Sequence, residues 1–278
     1  MVPPDYRHNA KDEVSRQRKG AMMNSHFPKL AGDGLDLQRT ALFLDVDGTL
    51  LDIAATPDSV VVPDGLVDTI GRLERALGGA LAIVTGRTLA DLDRLFTPLR
   101  TRAAGVHGAE IRFSPDSETL EMNAAAPLAD DLWRDFLAVT QAIPGVRPEN
   151  KNFSFTAHYR GAAERAAPLR EALQHLVASR PADHLEVADA LCAYEVKPRS
   201  VNKGEAVRQF LERAPFIGRR PMFIGDDASD EFGFRKVAEN CGLAFAVGAA
   251  RPQADDVFAN PATVRQWLTQ LAAEPAGT

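Results

Sequence analysis

The stretch Ala41-Leu42-Phe43-Leu44-Asp45-Val46-Asp47-Gly48-Thr49 decides how the chain is read. Its apolar residues predict a buried strand, and two carboxylates separated by one residue follow where that strand ends. In extended backbone residues i and i+2 point the same way, so Asp45 and Asp47 can converge on one reacting group. Gly48 lets the chain turn and removes a side chain that would block that group. Far downstream, Gly225-Asp226-Asp227-Ala228-Ser229-Asp230-Glu231 follows another apolar run, Met222-Phe223-Ile224. Two acidic strand ends in one chain point to a shared divalent cation.

Outward from this strand the periodicity alternates. Leu66, Ile70, Leu73 and Leu77 predict a helix over 64–77, entered through a loop holding Thr56-Pro57-Asp58 and stopped by Gly78-Gly79. A strand over 79–84 ends in Thr85-Gly86-Arg87, a helix covers 89–96, and a strand with its turn covers 103–108. Strands alternating with helices predict an α/β fold with a doubly wound parallel sheet, Rossmann-like in its layering. After Gly108 the rhythm changes to an antiparallel hairpin (110–113 and 119–122), a helix (129–141), a strand (153–158), a helix (163–178) and strands near 185–187 and 192–196. At Asn202-Lys203-Gly204 the α/β rhythm resumes with a helix (205–212), a strand (221–224), a helix (231–240), a strand (243–247) and a last helix ending near 271. The expected organisation is a polar N-terminal tail over 1–38, a discontinuous core domain over 39–113 and 197–272, and an inserted α+β domain over 114–196.

Composition narrows the function classes. Among 278 residues, 45% are hydrophobic and 25% charged, as in an ordinary globular protein. The net charge of -6, with scattered basic residues, gives nucleic-acid binding no electrostatic support. No apolar run approaches the ~20 residues that span a bilayer, so no membrane association is expected. Cys192 and Cys241 form no pattern, and Met1-Val2-Pro3-Pro4-Asp5 does not open a secretory signal, so a reduced, cytoplasmic setting is expected. Oligomeric state is not legible; a monomer is expected, with a dimer left open.

Phosphate-monoester hydrolysis is very slow in water and demands in-line positioning and charge neutralisation. Asp45 can serve as nucleophile, passing through an aspartyl-phosphate, while Asp47 protonates the leaving oxygen and then activates water. Carboxylates facing a phosphate need a cation, and oxygen ligands select Mg2+. The candidate metal ligands are Asp45, Asp47 and Asp226, with Asp227 and Asp230 supporting Lys203 and water from behind. Thr85 supplies a hydroxyl and Lys203 a point charge for the phosphate. Alone, a strand-end hydroxyl or a helix-flanking lysine is usually structural. Arg87 stays open between a substrate contact and an ion pair with an acidic residue.

The ordered set Asp-x-Asp-Gly-Thr, Thr-Gly-Arg, Lys-Gly and Gly-Asp-Asp-x-x-Asp-Glu resembles the haloacid dehalogenase superfamily of aspartate-nucleophile phosphohydrolases, over about residues 40 to 270. Within it, Ala104-Gly105-Val106-His107-Gly108-Ala109-Glu110, Glu149-Asn150-Lys151, Phe153-Ser154, His158-Tyr159-Arg160 and Glu195-Val196-Lys197-Pro198 are similar to bacterial trehalose-6-phosphate phosphatases. The resemblance implies that the insertion is a cap that selects the substrate, a small sugar phosphate. It further implies that Glu149, Lys151, Arg160 and Glu195 hold the sugar ring distant from the phosphate, with Gly86, Arg87 and His107 beside them at the site. Without the resemblance, Glu149-Asn150-Lys151 reads as a solvated loop and Arg160 as a surface charge. The rival readings are a capped phosphatase for sucrose 6-phosphate or mannosyl-3-phosphoglycerate, a phosphomutase, and a catalytically silent sugar-phosphate sensor.

Overall fold

A computed structural model describes residues 28, 35–54, 59–117, 121–122, 127–190 and 192–273. Most of the expected N-terminal tail, the Thr56-Pro57-Asp58 loop and the start of the second hairpin strand lie outside the described residues. The strand opening the signature stretch, β1 (Thr40–Leu44), is buried along its whole length. Its alternating side chains feed two separate cores: Leu42 and Leu44 enter one, Ala41 and Phe43 the other. A strand buried on both faces carries apolar residues at every position, which is why this run shows no polar alternation.

The large sheet has eight strands in the order β12-β11-β10-β1-β2-β3-β4-β5. They are β1, β2 (Leu81–Val84), β3 (Arg102–Gly105), β4 (Glu110–Arg112), β5 (Glu121–Met122), β10 (Arg220–Gly225), β11 (Leu243–Val247) and β12 (Asp256–Phe258). β1 pairs in parallel with both β2 and β10, and the parallel array continues to β3 on one side and β12 on the other. β4 pairs antiparallel with both β3 and β5, and β4 and β5 form the expected hairpin at the sheet's edge. β5 thus extends the large sheet beyond residue 114, where the insertion was expected to begin.

Helices α1 (Leu66–Ala76), α2 (Leu89–Phe96) and α7 (Pro261–Ala273) cover the Leu42 face. Helices α5 (Lys203–Leu211) and α6 (Glu231–Glu239) cover the Phe43 face. The fold is the expected doubly wound α/β sheet. Because the chain winds outward through β2 and β3 from one side of β1, and through β11 and β12 from β10, the order reverses between β1 and β10. A crevice opens at the carboxyl ends of the strands at such a switch point.

A second, four-stranded antiparallel sheet has the order β6-β7-β9-β8, from β6 (Arg147–Asn150), β7 (Phe155–His158), β8 (Leu185–Ala190) and β9 (Ala193–Pro198). One face carries Phe155, Ala157, Leu185, Tyr194 and Val196 and is covered by α3 (Asp130–Gln141) and α4 (Ala166–Ala178) through Leu132, Phe136, Leu169, Leu173 and Leu176. Period-two alternation leaves the other face polar: Glu149 lies opposite Thr156, and Thr156 opposite Glu195. β6 corrects the expectation of a loop at Glu149-Asn150. It is an exposed edge strand, the position where Pro148 and a polar sequence are tolerated. The small sheet's unit meets the large one through Phe153 and Val201, buried against Val106 and Ala109. Among the described residues no helix is long and apolar enough to cross a membrane.

Phe43 is fully buried and its ring lies 5.5 Å from that of Phe216 and 6.1 Å from that of Phe210. Phe43→Ala removes a fully buried ring of this cluster and is expected to cost about 3–5 kcal/mol in urea unfolding. A loss below about 1 kcal/mol would show that the cluster can collapse around the gap.

Candidate active site

Parallel pairing sets the two acidic motifs side by side. Leu44 is in register with Ile224, and the Asp45 amide donates to the Ile224 carbonyl at 3.0 Å, so Asp45 and Asp226 leave neighbouring strand ends together. Gly48 adopts φ +80°, and a Cβ there would lie 2.2 Å from Asp226 Oδ2. The glycine therefore allows both the left-handed turn and the approach of the second acidic motif. Thr49 Oγ1 donates to Asp226 Oδ1 at 3.1 Å, and Arg251 Nε donates to the Asp226 carbonyl at 2.9 Å.

Lys203 sits at the first turn of α5, behind the cap residue Asn202, whose side chain accepts from the Glu205 amide. Only 2% of its side chain is exposed, and its ammonium lies 2.9 Å from Asp45 Oδ1 and 2.7 Å from Asp230 Oδ1. Burial opposes its charge, but the two carboxylates outweigh this and raise its pKa well above the usual lysine value. The other oxygen of Asp230 accepts the amides of Asp226 and Asp227, each at 3.0 Å. Asp227 accepts from the Ser229 amide at 2.8 Å and the Ser229 hydroxyl at 2.6 Å. Burial would raise its pKa, yet Lys203 and Ser229 bring it down to about 2.

One carboxylate oxygen each from Asp45, Asp226 and Asp230 lies within 4.8 Å of the others. Asp230 is saturated by Lys203 and two amides, which leaves Asp45 and Asp226 as the side chains suited to hold a cation. Burial first, then neighbouring carboxylates, pushes the Asp45 pKa up to about 8 against the pull of Lys203. Asp226 rises to about 6, again through burial and then through Asp230 and Asp227. Crowded, buried carboxylates whose pKa values are pushed up are what a divalent cation would relieve, so the donor set fits a hard, oxygen-seeking ion.

Asp47 is not part of this cluster. Its carboxylate forms a bidentate pair with Arg87, with Nε and Nη2 each 2.6 Å from an oxygen. Both oxygens of the Asp47 side chain are held by Arg87, apart from the cluster formed by Asp45, Asp226 and Asp230. In this structure Arg87 is engaged in that ion pair. Thr85 lies buried at the end of β2, where its hydroxyl accepts from the Arg87 amide at 3.1 Å. Asp45, Thr85 and Lys203 line the strand ends, while Asp47 is 40% exposed beside them.

From β3 the chain passes into Val106 (φ +46°) and His107 (φ +56°), left-handed conformations that side-chain-bearing residues rarely adopt, the β-branched Val106 least of all. This kink lays the His107 ring on Gly86, where a Cβ would come within 2.8 Å of the ring. His107 Nε2 is 3.1 Å from Glu195 Oε2, linking the large sheet's strand ends to the polar face of the small sheet. Lys151 Nζ donates to the Gly86 carbonyl at 3.4 Å and stands 3.9 Å from Glu195 Oε1. Burial would raise the Glu195 pKa, but His107, Lys151 and a 2.6 Å bond from the Ser154 hydroxyl pull it below the usual carboxylate range. Glu149 accepts from His158 at 2.7 Å, which lowers its pKa against the effect of partial burial. Gly86, His107, Lys151 and Glu195 thus meet at one seam, with Glu149 further along the same sheet face. Arg160 donates to the Ala54 carbonyl at 3.2 Å, tying the small unit to the loop after β1.

Thr49, Arg251, Ser154 and His158 all touch residues singled out from the sequence, and none was assigned a role there. Thr49 and Ser154 stand inside the quoted motifs and could have been found by asking what each carboxylate accepts from. Arg251 carries no local signal.

A reversal point in a parallel sheet, with acidic strand ends joined through a buried lysine, belongs to a haloacid dehalogenase fold, and the relatives that share it here are phosphoric monoester hydrolases. The family model for trehalose-phosphatase matches residues 43–260, and the chain belongs to that family. It is 42% identical to a probable trehalose-phosphate phosphatase of Sinorhizobium fredii, over 81% of this chain and 84% of the relative. It is 37% identical to the trehalose-6-phosphate phosphatase of Escherichia coli, over 83% of this chain and 86% of the relative. A crystal structure of a trehalose-6-phosphate phosphatase related protein superposes with a TM-score of 0.68 at 26% identity, covering 83% of this chain and 96% of that one. The C-terminal domain of the Candida albicans trehalose-6-phosphate phosphatase shares the fold, with a TM-score of 0.73 at 24% identity over 86% of this chain and 93% of that domain.

The raised carboxylates give a pH dependence whose sign is fixed. A carboxylate that holds its proton more tightly when folded stabilises the protein below its unfolded pKa, and that contribution is lost as pH rises through the folded value. Without a cation, this contribution should fade through about pH 6 for Asp226 and about pH 8 for Asp45. A cation replaces those protons, so the gain in Tm on adding Mg2+ is expected to be larger at pH 8 than at pH 6 in scanning calorimetry. An equal gain at both pH values would contradict the assignment of Asp45 and Asp226 to the cation.

Proposed function

We propose that this enzyme hydrolyses trehalose 6-phosphate to trehalose and phosphate through an aspartyl-phosphate on Asp45, with Mg2+ held by Asp45 and Asp226. The observation that carries this reading is the 3.1 Å contact of His107 with Glu195, which closes the polar face of the small sheet over the acidic strand ends. A phosphate at the strand ends then has a hydroxyl-binding surface above it, as a sugar phosphate requires. In this reading the unit built on the small sheet is the cap of a discontinuous core, and Glu149, Lys151 and Glu195 are its sugar-facing residues.

Asp45 attacks phosphorus through one carboxylate oxygen as the bond from phosphorus to the sugar oxygen breaks, and Asp47 gives that oxygen a proton. In the second step Asp47 takes a proton from water while the water oxygen displaces Asp45 from phosphorus. Bound Mg2+ would supply positive charge to the phosphoryl oxygens. Lys203 fixes the orientation of Asp45 and, with Thr85, faces the transferred group. To deliver its proton Asp47 must leave the pair with Arg87, which frees that guanidinium for the substrate. Asp230 keeps Lys203 in place and shapes the Asp226-Asp227 turn through its two amide bonds.

Phosphate release measured with Mg2+ across trehalose 6-phosphate, sucrose 6-phosphate and glucose 6-phosphate is expected to be fastest by far on the first. No release from trehalose 6-phosphate alongside turnover of another substrate would refute the choice of sugar. Asp45→Asn is expected to lower kcat about a thousandfold or more, and a normal rate in this variant would sink the mechanism.

A further inference from the structure

The polar face of the small sheet holds a hydroxyl that nothing above uses. Thr156 lies between Glu149 and Glu195 in cross-strand register, so all three side chains project from the same face. Glu195 on that face touches His107, which fixes the face as the one turned to the strand ends. Thr156 is 3% exposed, and its Oγ1 is buried without a hydrogen-bond partner among the described residues. His107, which touches Glu195 through Nε2, likewise has a buried Nδ1 without a partner among the described residues. The neighbouring carboxylates are already committed, Glu195 to His107 and Ser154, and Glu149 to His158.

Leaving a buried hydroxyl unpaired is costly, and a valine has nearly the same shape and no such cost. A threonine at this position makes physical sense if its partner arrives with the substrate. We propose that Thr156 is a specificity-determining residue whose hydroxyl bonds a hydroxyl of the sugar ring distant from the phosphate, between the carboxylates of Glu149 and Glu195. The proposal rests on the sugar-phosphate reading above and adds a ligand to it. Thr156 can both donate and accept, whereas the flanking carboxylates only accept, so it serves a sugar hydroxyl whose proton is already engaged with Glu149 or Glu195.

The test compares wild type, Thr156→Val and Thr156→Ser on trehalose 6-phosphate and on p-nitrophenyl phosphate, which has no distal sugar. Thr156→Val is expected to raise KM for trehalose 6-phosphate about 3- to 10-fold at nearly constant kcat, to leave p-nitrophenyl phosphate turnover unchanged, and not to lower Tm. Thr156→Ser, which keeps the hydroxyl, is expected to stay within about twofold of wild type. An unchanged KM in Thr156→Val, or an equal loss on both substrates, would overturn the proposal. A wild-type enzyme inactive on trehalose 6-phosphate refutes the parent reading instead, and is told apart because that failure needs no variant.

Discussion

Everything at the site depends on one buried cation, the Lys203 ammonium held between Asp45 and Asp230. Taking a lysine out of water is expensive, and the cost is met only because two carboxylates stand within 3 Å and a third, Asp227, adds its field. The demand runs outward through the structure. Asp230 can face Lys203 only if its second oxygen is satisfied, and the Asp226 and Asp227 amides do this by wrapping the turn after β10 around it. That turn delivers Asp226 against Gly48, where no side chain could be accommodated. Breaking one partner of a buried pair of this kind typically costs about 3–5 kcal/mol, so the chemistry and the local fold are not separable here.

The two sheets solve complementary problems with the same period-two geometry. In β1 both faces are buried, so side chains alternate between two cores and the strand's end is free to carry charge. In the small sheet one face packs on α3 and α4 and the other stays polar, so the geometry that builds a core also builds a polar surface. The strained Val106-His107 segment joins them: it lays an imidazole on Gly86 and presents Nε2 to Glu195. Backbone held in a sparsely populated region persists when its surroundings over-determine it, and here Val106 is packed against Ala109, Phe153 and Val201.

The parallel sheet was legible in the sequence because continuous apolar runs ending in turn residues and helices of clear amphipathic spacing were set in alternation; the helix expected at about 89–96 is found at Leu89–Phe96. What escaped had weak local signals. β6 is polar, exposed and contains a proline, and becomes a strand only because β7 offers it a partner. β12 is three residues long and is likewise defined by its neighbour, β11. At the site, motif spacing located Asp45, Asp226 and Lys203, since strand ends and helix starts are local features. The sequence assigned Asp45 and Asp47 different roles but gave no sign of their different partners, Lys203 for the one and Arg87 for the other. The bond of Arg160 to Ala54 likewise joins residues 106 positions apart in the chain and has no local signal.

The central claim is that Asp45 carries the phosphoryl group. The most direct measurement is an acid-quenched single turnover of the wild-type enzyme with trehalose 6-phosphate and Mg2+, followed by peptide mass spectrometry. The expected result is a phosphoryl group on the peptide containing Asp45 and mapped to that residue. A phosphoryl group on another side chain, or free phosphate forming in the single turnover with no phosphorylated peptide at any quench time, would contradict it.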